Sequence, residues 1–234
     1  MKLSIIIPAY NEENIIFSNI NEIINHMKKL NPDYELIVVD DGSTDSTLKE
    51  VKRIKNKKIK AISYMPNKGK GYAVKKGVLA SKGGLILVCD ADLSTPINEL
   101  DKFLKYADEY DIIIGSRALK ESRILIKQPY CKILLGKLGN LMIRVLAVHG
   151  IKDTQCGFKL FKSKAKELFE RQAINRWGWD FEILFMAQRK GYKIKELPVS
   201  WLNRKESRVK MLDYPKTLLE LIRIRMNSLM GKYD

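Results

Sequence analysis

The chain has 234 residues, with 43 Lys and Arg against 27 Asp and Glu, for a net charge of +16. Hydrophobic residues make up 45%, with only 14 Gly and 7 Pro, which excludes a disordered, collagen-like or low-complexity protein. The length suits one α/β domain with an appendage, or two small domains. Cys89, Cys131 and Cys156 are odd in number and form no CxxC pair, so a reducing cytoplasm is expected rather than a disulfide scaffold. Two histidines argue against a His-based zinc site.

The charge is uneven. Residues 1–117 hold 18 basic and 16 acidic residues, net +2, so residues 118–234 hold 25 and 11, net +14. The second half is expected to face something anionic: nucleic acid, an acidic membrane surface or a phosphorylated substrate. The plainer reading is a lysine-rich solubilising surface. No stretch approaches the roughly 18 uncharged apolar residues of a transmembrane helix. Met1–Ile7, closed by Pro8, is too short for a signal peptide and reads as a buried strand.

In chain order, Leu3–Ile7, Leu36–Val39, Ile59–Ser63, Leu85–Cys89 and Ile112–Ile114 are short apolar runs rich in β-branched residues. Between them, helical patterns cover Asn14–Leu30, Thr44–Ile54, Tyr72–Ala80 and Asn98–Tyr106. Strands that do not alternate are buried on both faces, the mark of a parallel sheet covered by helices. The expected fold is a Rossmann-like, doubly wound α/β sheet, whose ligands bind beyond the carboxyl ends of the strands. After Arg117 the rhythm stops. Ile133–Val148 and Pro215–Met230 read as basic amphipathic helices, Trp179–Arg189 as a helix, and Lys193–Leu197 as a strand ended by Pro198. Asp153–Phe161 reads as a turn leading into a short strand.

The strand ends carry the chemistry. Asp90-Ala91-Asp92 places two carboxylates close together, and like charges resist ionising side by side unless a cation intervenes. Hard oxygen ligands suit Mg²⁺ or Mn²⁺ bridging to phosphates; the alternative is a helix-capping turn. Asp40-Asp41-Gly42-Ser43 is either a turn and cap or an acceptor for a base N–H. Lys68-Gly69-Lys70-Gly71 lacks the Walker Ser or Thr, and Val74 replaces the third glycine of a dinucleotide fingerprint. It is either a phosphate-holding helix start or a flexible basic loop. Arg117, after Gly115-Ser116, is placed to grip a phosphate or to pair with a nearby acid.

Taken jointly and in this order, Pro8-Ala9-Tyr10-Asn11-Glu12, Asp40-Asp41-Gly42-Ser43-Thr44-Asp45 and Asp90-Ala91-Asp92 resemble the signature of family 2 glycosyltransferases with the GT-A fold. Gly115-Ser116-Arg117, Asp153 through Phe161 and Trp179-Asp180-Phe181-Glu182 look like the dolichyl-phosphate hexose synthases, with the β-glucosyltransferases first and the mannose synthases second. The likeness runs from Ile5 to about Lys210.

The resemblance implies a nucleotide-sugar-binding half over 1–117 and an acceptor-binding, membrane-associating half over 118–234 of one GT-A domain. It implies a UDP-glucose or GDP-mannose donor, a dolichyl or other polyprenyl phosphate acceptor, Mg²⁺ or Mn²⁺, and no nucleic acid. By position, Pro8, Ala9, Tyr10, Glu12, Asp40, Asp41, Lys70, Asp90 and Ala91 would line the nucleotide sugar. Asp90 and Asp92, with Gln155 close by, would hold the metal; Asp92, Asp153 and Arg117 would be catalytic. Arg117, Ser207, Arg208 and Lys210 would face phosphate, although Glu206 stands where the family usually shows Gly. The resemblance implies an N-terminal membrane anchor in the eukaryotic glucosyltransferases and C-terminal transmembrane helices in some mannose synthases, neither of which is expected from this sequence. Peripheral attachment to the cytoplasmic membrane face is therefore expected through the two basic amphipathic helices.

The implied reaction is inverting. An acceptor phosphate is already ionised near pH 7 and needs no strong general base, so Asp153, or Asp180 in its place, is expected to orient rather than to take a proton. Three rivals remain at this level: transfer to a soluble glycan or protein, a nucleotidyltransferase, and a nucleic-acid-binding protein. The last leaves acidic strand ends unexplained, because they would repel phosphates.

Overall fold

The computed structural model describes residues 2–125, 139–202 and 213–233. Seven strands form the central sheet: β1 (Leu3–Ala9), β2 (Tyr34–Asp40), β3 (Ile59–Ser63), β4 (Leu85–Val88), β5 (Ile112–Ser116), β7 (Lys159–Lys162) and β8 (Ile194–Pro198). Their order is β3-β2-β1-β4-β7-β5-β8. All neighbours are parallel except β7, which runs antiparallel to both β4 and β5. A separate two-stranded ribbon pairs β6 (Arg123–Ile124) with β9 (Ser200–Trp201).

The apolar runs explain the sheet. All seven residues of β1 and of β2 are buried. Helices cover both faces, so neither face needs polar residues. On one side lie α1 (Ile16–Leu30), α2 (Thr47–Arg53) and α4 (Leu100–Leu104); Ile16, Ile20, Ile23, Ile24 and Met27 of α1 point inward at helical spacing. On the other lie α3 (Lys70–Ala80), a helix α5 over 139–146, α6 (Lys166–Arg171), α7 (Trp179–Arg189) and α8 (Asp213–Leu229). Every residue of α7 from Trp179 to Ala187 is buried, because α7 is enclosed on all sides.

Two features differ from the sequence reading and one agrees with it. β3 is the sheet edge and is largely open to solvent, with charge on it (Lys60) as edges carry. β8 does end at Pro198, in register with Ser116, which an edge strand permits. The antiparallel β7 enters between β4 and β5, pairing Lys159 with both Val88 and Ile114. Its direction has a consequence: the segment preceding β7 arrives at the carboxyl ends of the parallel strands.

Away from that edge, Glu35 ties three elements together. Its carboxylate accepts from Ser4 Oγ at 2.8 Å, Lys60 Nζ at 2.8 Å and Lys82 N at 2.6 Å. Burial alone would raise its pKa, but these donors outweigh it and hold the carboxyl at about 2, below the usual 4.5. A depressed pKa gives stability that is complete above the unfolded value and is lost as pH falls toward the folded one. Between pH 6 and pH 3 wild type should therefore lose about 2 kcal/mol more than Glu35→Gln. Urea unfolding at the two pH values checks this, and equal losses in both proteins would refute it.

Candidate active site

The first two loops are zipped together. Asn11, held at φ 51°, accepts Thr44 N at 2.8 Å through Oδ1, and its own N–H donates to Ser43 Oγ at 2.9 Å. Glu12 N donates to Thr47 Oγ1 at 2.7 Å, and Asp41 N to Ala9 O at 2.8 Å. Pro8 and Ala9 are the buried end of β1, while Tyr10 is exposed where the chain leaves the sheet. Asp40 is buried, accepting Ser43 N at 3.1 Å and Ser63 Oγ at 2.9 Å.

Asp41 is buried as well, and its carboxylate accepts from Asn67 Nδ2, Lys68 N and Gly69 N, each at 2.8 Å. In this structure it organises the loop that starts α3. That loop is packed rather than flexible. Gly69 has φ 104°, and a Cβ there would stand 2.5 Å from Asn175 O; one on Gly71 would stand 2.7 Å from Trp179 Cβ. Gly71 N and Tyr72 N, the amides a phosphate would use, donate to Arg176 O and Asn175 O. Lys70 is left to act through its ammonium alone.

That ammonium lies 2.5 Å from Asp90 Oδ1, just past the end of β4. Burial works against the charge, yet Asp90, Asp180 and Asp92 together raise the Lys70 pKa. Ala91 O between the aspartates accepts Asn19 Nδ2 of α1 at 2.8 Å. Asp92 is half-buried, and among the described residues it accepts only Ser94 N, at 2.8 Å through Oδ1. Leu93 sits at φ 49°, a costly angle for a leucine, which fixes the turn.

The segment before β7 closes the site from the other side. A Cβ on Gly157 would lie 2.1 Å from Asp90 Oδ2, so only glycine permits this approach of backbone to carboxylate. Asp153 is buried and forks with Arg117: Nε to Oδ2 at 2.7 Å and Nη2 to Oδ1 at 2.9 Å, with Arg117 N also donating to Oδ2 at 2.9 Å. Burial alone would raise the Asp153 pKa, but Arg117 wins and lowers it. Glu196 of β8 accepts Asp153 N at 2.8 Å. Gln155 is half-buried, two residues before Gly157, and its backbone N–H caps Asp153 Oδ1 at 3.2 Å. Arg117 also lies over the Trp201 ring at 5.4 Å, beside the exposed Ile124 and Leu125.

Lys159, at 1% exposure, donates to Cys156 O and pairs with Asp180 on α7. Burial raises the Asp180 pKa, with Lys159 opposing. Sequence reasoning missed Lys159, Gly157 and Glu196; a single lysine inside the run Phe158-Lys159-Leu160-Phe161 was the available signal. Ser207, Arg208 and Lys210 lie outside the described residues. So Asp90, Asp92, Asp153, Arg117 and Lys70 are brought to one edge, with Asp40 at the end of β2 and Asp41 just beyond it. Four aspartates there meet three cations: Lys70 with Asp90, Arg117 with Asp153, Lys159 with Asp180. Among the described residues no cation pairs with Asp92.

Residues 4–169 match the family described as Glycosyl transferase family 2. The chain belongs to that family. A dolichyl-phosphate beta-glucosyltransferase of Trichomonas vaginalis is 37% identical over 95% of this chain and 72% of its own length. The Homo sapiens protein of the same name is 32% identical over 99% and 77%. Among solved structures, glucosyl-3-phosphoglycerate synthase from Mycobacterium tuberculosis with Mn²⁺, UDP and phosphoglyceric acid superimposes with TM-score 0.68 at 16% identity, over 99% of this chain and 78% of that one. The architecture is the GT-A fold, and the chain is a glycosyltransferase.

The buried Lys159–Asp180 pair predicts a stability effect. Lys159→Met leaves a buried carboxylate without its cation and should cost about 3–5 kcal/mol. Adding Asp180→Leu should restore much of that loss. Chemical unfolding of the single and double variants measures it; a double variant no more stable than the single one would contradict the pairing.

Proposed function

We propose that the chain transfers glucose from UDP-glucose to the phosphate of dolichyl or another polyprenyl phosphate at the cytoplasmic membrane face, with inversion at the anomeric carbon. Its likeness to named dolichyl-phosphate beta-glucosyltransferases supports donor and acceptor. The observation that carries the reading is the Asp92 carboxylate, without a cation of its own among the described residues, on the same sheet edge as Arg117. In this reading residues 1–117 hold the nucleotide sugar and 118–234 the acceptor, within one shared sheet.

A divalent cation, Mg²⁺ or Mn²⁺, fits these residues. Asp92 Oδ2 and the Asp90 carboxylate are hard oxygen donors, and among the described residues no three His, Cys, Asp or Glu side chains are grouped so as to hold a metal ion by themselves. Two protein carboxylates with phosphate oxygens and water are the ligand set such ions accept. When bound, the ion would neutralise charge developing on the departing diphosphate.

The chain's own groups do the rest. Arg117 spends two side-chain N–H groups on Asp153 and keeps three of its five for a phosphate. Asp153 thus fixes the guanidinium instead of acting as base. The acceptor phosphate oxygen forms the new bond to the anomeric carbon as the bond to the diphosphate oxygen breaks, and UDP leaves with that electron pair. The exposed Ile124 and Leu125 beside Trp201 offer an apolar start for the polyprenyl chain.

For membrane contact, α8 presents a suitable outer face. Leu221 and Ile224 pack inward, while Leu219, Ile222, Met226 and Leu229 are 65%, 48%, 54% and 84% exposed, beside Arg223 and Arg225. Helix α5 exposes Leu141, Val145 and Leu146 next to Arg144. An apolar stripe flanked by cations suits an anionic interface. No helix among the described residues is long and apolar enough to cross a membrane.

Asp92→Asn should lower transfer of labelled glucose into solvent-extractable lipid by about a hundredfold or more. The assay uses UDP-glucose and polyprenyl phosphate in anionic vesicles. Near-normal transfer by the variant would overturn the Asp92 assignment. Label remaining in the aqueous phase on a glycan, or pyrophosphate released from UTP and a sugar phosphate, would overturn the acceptor or the reaction class.

A further inference from the structure

Lys70 is fixed at its backbone and held at its tip by a single ion pair with Asp90. The Asp41 carboxylate, the carbonyls of Asn175 and Arg176, and two glycines that tolerate no Cβ fix the chain on either side of it. Only its four side-chain torsions remain to move the ammonium. That ammonium occupies Asp90 Oδ1 at 2.5 Å, while Gly157 backbone closes on Oδ2. Any cation approaching the aspartate pair therefore meets a carboxylate that already has a counter-ion, next to one, Asp92, that has none among the described residues.

We propose that Lys70 is the resident counter-ion of Asp90 and a competitor for the divalent cation: the cation displaces the ammonium from Asp90, and the ammonium moves to the donor's diphosphate. This rests on the metal-dependent reading above and adds an order of events to it. Alone, the cation gains Asp90 only by breaking the Lys70–Asp90 ion pair, with no diphosphate to take up the ammonium, so it binds weakly. With nucleotide present, the evicted ammonium gains a diphosphate oxygen. Lys70 thereby carries positive coupling between metal and nucleotide, since each ligand makes room for the other. Reciprocity requires the same factor in both directions.

The test is Mn²⁺ titration of the full chain, followed by electron paramagnetic resonance, with and without UDP. Lys70→Met should raise Mn²⁺ affinity without UDP on the order of tenfold and shrink the gain that UDP gives. Lys68→Met removes the same charge two residues away and should change neither quantity comparably. Lys70→Met binding Mn²⁺ no more tightly than wild type, or Lys68→Met matching it, overturns the proposal. In wild type, acetylation of Lys70 by acetic anhydride, read by peptide mass spectrometry, should increase on adding Mn²⁺ and fall again with UDP. Unchanged labelling overturns the proposal even if the variant fails to fold. If wild type binds no Mn²⁺ with or without UDP, the metal-dependent reading itself fails; if it binds with UDP but Lys70 has no influence, only this inference does.

Discussion

Unbalanced charge at one sheet edge governs this structure. Buried carboxylates demand partners, because a lone ion out of water is costly. Three of the four aspartates have one: Asp90 has Lys70, Asp153 has Arg117, and Asp180 has Lys159. Among the described residues Asp92 takes a single backbone N–H. In the function proposed above, an external cation arriving with the donor's diphosphate balances this edge.

The fold assembles this edge by reversing one strand. Were β7 parallel, the segment before it would emerge at the opposite end of the sheet. Running antiparallel between β4 and β5, it brings Asp153, Gly157 and Lys159 against Asp90, Arg117 and Asp180. The same strand joins the two halves of the chain, so the near-neutral first half and the basic second half share one sheet.

Much of this was legible in the sequence for a local reason. Runs buried on both faces, such as Leu3–Ile7 and Leu36–Val39, need no partner information to be recognised, and Ile59–Ser63 and Trp179–Arg189 match their observed bounds. The acidic strand ends were visible too, because a doubly wound sheet sends its loops to one edge. The unread part is non-local. Nothing near Gly157 in the chain announces that its missing Cβ leaves room for a carboxylate 67 positions earlier. Likewise Asp41 looks like any turn aspartate until the Asn67 side chain and the Lys68 and Gly69 backbone amides are seen wrapped around it. The shared face of Leu218, Leu219, Ile222, Met226 and Leu229 followed from helical spacing, but that it points outward depended on which residues the neighbouring helices cover.

The most direct measurement is an anomalous difference map from crystals grown with UDP and Mn²⁺. The account predicts one manganese peak in contact with the Asp92 carboxylate and the diphosphate, with the Lys70 ammonium drawn away from Asp90. A manganese and nucleotide bound together at a site remote from Asp92 would contradict it.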